Sequence, residues 1–159
     1  RYFSDPRVLA AEAGIDADML SYDDITRGTA TPRAAARAIA LYFLDHALAH
    51  EAGFRQFLAR SLDATCADPE HAPRRGARRV TMLARALRDL PPDRRDPLVR
   101  GLAAATGAEA MIALRDVLRV APSEARATVA DTVDALLERH LGPADPAALA
   151  PGAVPPHLS

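Results

Sequence analysis

Residues 38–44 read Ala-Ile-Ala-Leu-Tyr-Phe-Leu, a stretch that is apolar on every side of a helix. Thr31-Pro32 opens it, with threonine suited to the N-cap and proline to the first helical position, and the pattern predicts a helix to about His50. At about 100° per residue, Ile39, Tyr42, Phe43, His46 and His50 share one side, while Leu41, Leu44 and Leu48 take the other. A helix that is apolar all round sits at the centre of a bundle. The rest of the chain must therefore supply helices to surround it.

Composition agrees. The chain has 159 residues, one domain's worth, with 49% hydrophobic but only 4% aromatic residues and no tryptophan. Much of the apolar share is alanine, the best helix former, and strand-favouring residues are scarce. The expected fold class is all-α. Every one of the 20 basic residues is arginine, balanced by 21 acidic ones to a net charge of −1. No overall positive field attracts nucleic acid or an anionic membrane. The richness in Ala, Arg, Pro and Gly has the signature of GC-rich coding DNA and points to a high-GC bacterium. Cys66 is the lone cysteine, which excludes intrachain disulfides and thiolate zinc sites. The apolar runs fall short of the ~18 residues a membrane span needs, and a soluble, cytoplasmic protein is expected.

Proline and glycine divide the chain further. A short helix is predicted over 5–13, opened by Asp5-Pro6 and ended by Gly14. Residues 15–30, with Asp16, Asp18, Asp23 and Asp24, read as a loop or as a continued helix broken before Gly28. After Gly53, the residues Phe54, Phe57, Leu58, Ser61, Leu62 and Thr65 form one stripe of an amphipathic helix. From about Pro73 to Leu90 a helix carries Val80, Leu83, Leu87 and Leu90 on one side. Arg74, Arg75, Arg78, Arg79, Arg85 and Arg88 lie on the other, read as a solvated face. A helix from about Pro92 to Val120 follows, then one over 122–141 with Val129, Val133, Leu136, Leu137 and Leu141 aligned. Residues 142–159 read as a Pro/Ala-rich tail.

Few constellations suggest chemistry. His46 and His50 are spaced i, i+4, a spacing that chelates metals, but the segment reads HALAHE rather than HExxH. A structural or ligand-contacting role is favoured, and no metal or cofactor is expected. The serines occupy no nucleophile elbow, and phosphate- or dinucleotide-binding glycine loops are missing. The chain is not expected to be an enzyme; that reading would require acid–base groups clustered near His46 and His50. Segment 101–114, GLAAATGAEAMIAL, is small and apolar on all sides, so it calls for a second burial partner. A symmetry mate packing the last two helices into a dimeric four-helix bundle is expected, against the simpler alternative of burial within one chain.

Residues 1–9, RYFSDPRVL, resemble the junction after the recognition helix in TetR-family transcriptional regulators, with Tyr2-Phe3 as the aromatic pair and Ser4-Asp5-Pro6 as the turn. Residues 49–61, AHEAGFRQFLARS, and 107–137, GAEAMIALRDVLRVAPSEARATVADTVDALL, resemble the family's later helices in order and spacing. The family's frequent aromatic before Leu114-Arg115-Asp116 is here replaced by Met111-Ile112-Ala113.

The resemblance implies a helical ligand-binding and dimerisation domain over 5–141, with 1–4 as the remnant of a helix-turn-helix junction. It implies a homodimer whose small, mainly apolar effector alters the spacing of DNA-reading heads, with operator contact only through a helix-turn-helix missing here. The expected ligand pocket comprises Ile39, Tyr42, Phe43, His46, His50, Phe57, Leu58, Leu62 and Met111. The expected dimer interface comprises Leu102, Ala105, Ile112, Val129, Val133 and Leu136. The alternative is a helical interaction module without a ligand.

Overall fold

The computed structural model describes residues 19–68, 70 and 77–143. The helix expected over 5–13, the junction at 1–4, residues 73–76 and the tail from 144 lie outside the described residues. Among the described residues there are seven α-helices and no strand, in accord with the all-α expectation.

Thr31 caps the central helix, α2 (Pro32–Ala49), its hydroxyl accepting from the Ala34 N–H at 3.1 Å. α2 buries Ala35, Ala36, Ile39, Ala40, Leu41, Phe43, Leu44, His46 and Ala47. Burial on more than one side is what its sequence demanded. Around it pack the one-turn α1 (Tyr22–Ile25), α3 (Glu51–Ala67), α4 (Arg78–Ala86), α6 (Ala108–Ile112) and α7 (Pro122–Leu141). α5 (Pro92–Ala104) lies against α4 and α7.

Charged ties set the register of α2 on α7. Arg33 donates to the Leu137 carbonyl at 3.4 Å and to that of Gly142. Arg37 grips Asp134 with two bonds of 2.7 and 2.9 Å, and Arg126 binds Asp45 at 2.9 Å. Positions 33, 37 and 45 thus meet 137, 134 and 126, so the helices run antiparallel. Arg94 donates to the His140 carbonyl at 2.6 Å, and a Cβ at Gly101 would stand 3.5 Å from Leu136. α5 and α7 are therefore antiparallel as well, and two arginines cover the carbonyl-rich end of α7, where positive charge is favoured.

Three local expectations are corrected. Within 15–30, Ser21 accepts from the Asp24 N–H at 3.2 Å and nucleates α1 where a loop was one reading. α3 starts at Glu51, immediately after His50, so Gly53 lies inside the helix rather than before it. The continuous helix expected from Pro92 to Val120 breaks at 105–107 and resumes as α6, which ends in a π-helical turn, Ala113–Val117. The two segments meet at a bend of 42°. Gly107 makes the break with φ +83°. The buried Thr106 hydroxyl donates back to the Leu102 carbonyl at 2.7 Å, in place of a continued helical bond.

The arginine face of α4 is also less solvated than expected. Arg79 donates to the Thr106 carbonyl at 2.6 Å and pairs with Glu109 at 3.3 Å, fastening the α5–α6 break. Arg85 lies 3.8 Å over the Tyr22 ring and pairs with Asp23. No single helix among the described residues is long and apolar enough to cross a membrane.

Candidate functional site

The middle of α2 carries the site's chemistry. The Tyr42 ring stacks on His46, centroids 5.7 Å apart and planes 19° apart, and meets Phe43 edge-on at 5.5 Å. One turn on, His46 and His50 have ring centres 4.5 Å apart, tilted 54°. Phe54, from the first turns of α3, closes edge-on against His46 at 5.8 Å. The α2–α3 junction makes this contact. His50 ends α2 and begins α3 within one residue, and its N–H still donates to the His46 carbonyl at 3.1 Å. The Tyr42 hydroxyl accepts from the Leu20 N–H at 2.7 Å, tying the segment before α1 to the cluster.

His46 is almost fully buried, one of two buried polar residues alongside Thr106 among those described. Buried polar groups cost free energy unless hydrogen-bonded, so an imidazole in this core is a chemical feature rather than filler. The other proposed pocket residues divide. Ile39, Phe43, Leu58 and Met111 are enclosed in the core, and Tyr42, His50 and Phe57 are half-buried around it. Leu62 does not join them, because it is 60% exposed. The stripe on α3 is real, but among the described residues α3 packs mainly on α2 and α6, and Leu58 is its one buried residue. Past Leu58 the residues of this helix are half-buried at most.

The expected interface residues divide in the same way. Leu102, Val129 and Val133 are buried inside the single chain, in the core that α5 and α7 share with α2, and have no surface left for a second subunit. Ala105, Ile112 and Leu136 are half-buried and retain some. The exposed large apolar residues of the later helices are instead Val117 and Leu118, in and just after the π-turn. Sequence reasoning gave that turn no role.

A charged network beside the cluster also escaped the sequence reading. Arg55 binds Glu51 at 2.7 Å within α3 and grips Asp116 of the π-turn with bonds of 2.6 and 2.7 Å. Arg115 reaches Glu51 at 3.4 Å and donates to the Val120 carbonyl at 2.7 Å. The i, i+4 spacing of Glu51 and Arg55 was the one signal that could have found it. The hydrogen bonds from Arg55 hold both the Glu51 and Asp116 carboxyls below their ordinary range, and the carboxylates raise the Arg55 guanidinium.

Depressed carboxyls contribute stability that is complete above the ordinary carboxylate range of about 3.9–4.3 and lost as pH falls through their lowered values. Urea unfolding at successive pH values is therefore expected to show a loss of stability below about pH 4 that flattens in Arg55→Ala. An identical acid slope in the two proteins would contradict this assignment.

A separate polar cleft of ≈ 350 Å³ opens near the start of α2, lined by Tyr22, Thr26, Thr29, Arg85, Arg88 and Asp89 among others. Among the described residues, no group of three or more His, Cys, Asp or Glu is placed to hold a metal ion. No family model, curated protein or solved structure matches the chain.

Proposed function

We propose that the chain is the effector-sensing and dimerisation domain of a TetR-like transcriptional regulator, a cytoplasmic repressor whose DNA binding is changed by a small, mainly apolar ligand. The observation that carries this reading is the Tyr42–His46–His50 cluster. It places polar rings in the middle of the helix on which most of the bundle packs. Ligand sites of this kind are apolar with a few convergent polar groups. Here aliphatic and aromatic neighbours supply shape, and the imidazoles and phenol supply orientation. In the family that the sequence resembles, operator contact belongs to a helix-turn-helix domain. The partner is a second copy, meeting this one where Ala105, Ile112 and Leu136 remain partly uncovered.

A thermal-shift screen of hydrophobic compounds tests the ligand. At a hundredfold excess over Kd, binding stabilises by about 2.7 kcal/mol, a rise of roughly 5–10 °C for a chain of this size. The rise is expected to shrink in Tyr42→Phe and His50→Ala. Sedimentation at micromolar concentration tests the dimer, and a monomer there removes it from the proposal. The exposed Leu62, Val117 and Leu118 favour a second reading, a ligand-free helical interaction module. Absence of any ligand-induced shift would select it.

A further inference from the structure

We infer that residues 19–27 form an arm that leaves α2 and α4 as one unit, swinging about Gly28, and that its departure opens the polar cleft at the start of α2. This goes beyond the effector reading and does not rest on it. The arm makes its own turn. Ser21 caps α1 through the Asp24 N–H, and the Ile25 and Thr26 N–H groups donate to the Ser21 and Tyr22 carbonyls at 3.1 and 3.0 Å. Arg27 pairs with Asp24 at 2.6 Å inside the same stretch. A single helical turn does not persist in water without docking. These bonds therefore form and break together with the arm's hold on the bundle.

That hold is slight. No residue of α1 is buried, and Met19, Tyr22 and Ile25 rest half-buried on the core. Polar ties complete it. The Leu20 N–H donates to the Tyr42 hydroxyl at 2.7 Å, and Arg78 donates to the Met19 sulfur at 3.0 Å. Arg85 binds Asp23 at 2.9 Å with its guanidinium over the Tyr22 ring. Asp23 is 78% exposed, so that ion pair works in water, where such pairs contribute little. Segments with few buried contacts open at a lower free energy than the whole fold. Gly28 supplies the hinge, with φ +81° and, among the described residues, nothing within 4 Å of where a Cβ would stand. The arm is also a wall. Tyr22 and Thr26 line the cleft together with Ala35 of α2 and with Arg85 and Arg88 from the end of α4. Arg85 is therefore latch and lining at once, and opening frees its guanidinium from Asp23.

Hydrogen exchange of the whole chain at neutral pH, followed through a series of low urea concentrations, tests the arm. Amides of Leu20, Ile25 and Thr26 are expected to be protected at least about tenfold less than those inside α2 and α7. Their exchange should hold steady as urea rises, because a small opening exposes little surface, while that of α2 and α7 climbs. Arg85→Ala removes the ion pair and the cation–π contact, and is expected to speed exchange in the arm by about 3- to 30-fold. The cleft has its own readout. Ala35 is a buried lining position. In a Cys66→Ser background, the thiol introduced by Ala35→Cys is expected to react with a maleimide at a rate equally indifferent to low urea. Arm amides that exchange at the rate and urea slope of α2 would overturn the arm, and an unchanged rate in Arg85→Ala would overturn the latch. A thiol that reacts only as urea unfolds the chain would overturn the opening of the cleft. The urea series on the unaltered chain decides the first point even if a variant fails to fold. No effector enters these measurements, so failure here and failure of the effector reading are told apart.

Discussion

Gly107→Ala is expected to destabilise the chain by about 2.5–6 kcal/mol in urea unfolding, where most surface substitutions stay within about 0.5 kcal/mol. Two terms make up the figure. Gly107 has φ +83° and ψ −159°, a region almost closed to other residues, which costs about 1–3 kcal/mol to occupy. A Cβ there would also stand 1.5 Å from Nη1 of Arg79. The guanidinium must withdraw, giving up its 2.6 Å bond to the Thr106 carbonyl, a charged hydrogen bond of a kind that contributes about 1.5–3 kcal/mol. The terms separate in a double-mutant cycle. In an Arg79→Ala background, Gly107→Ala should lose the second term and keep only the backbone cost. Equal penalties in both backgrounds would show that Arg79 does not fill the space the glycine leaves open.

This position also shows how much of the fold was legible. Thr31-Pro32 and Pro122 announced their helices, because a cap and a first-turn proline act within a few residues of sequence. The all-round apolar 38–44 segment announced the centre of the bundle for a similarly local reason. The break at Gly107 was not legible. An isolated glycine in an alanine-rich helix is tolerated, and what fixes this one is Arg79, 28 positions earlier. Leu62 failed for want of a neighbour. Its periodicity matched that of Leu58, but periodicity records which face seeks cover and not how far the cover extends. The i, i+4 spacing of His46 and His50 was plain in the sequence. Their 4.5 Å approach depends on ring tilt and on Phe54 arriving from the next helix.

Leu102 puts the same distinction to a quantitative test. Segment 101–114 has too many apolar sides for one neighbour, and a second subunit was the expected cover. The fold offers another solution. By breaking at Gly107, the chain turns α6 onto α2 while α5 stays on α4 and α7, so Leu102, Thr106, Ala108, Met111 and Leu114 are all buried within one chain. Leu102→Ala is then a core truncation, expected to lose about 2–5 kcal/mol through lost burial and the cavity left behind. That loss should be the same at high and low protein concentration, since no dissociation contributes to it. Had Leu102 lain in a subunit interface, the loss would grow on dilution and the sedimentation coefficient would fall with it. Ile112→Ala supplies the contrast. Ile112 is only half-buried, so its truncation should cost less in the folding of one chain. If the proposed dimer forms there, the larger effect of Ile112→Ala should fall on association. A sedimentation coefficient lowered by Leu102→Ala and left unchanged by Ile112→Ala would reverse the assignment of the two residues and restore the interface to the helix interior.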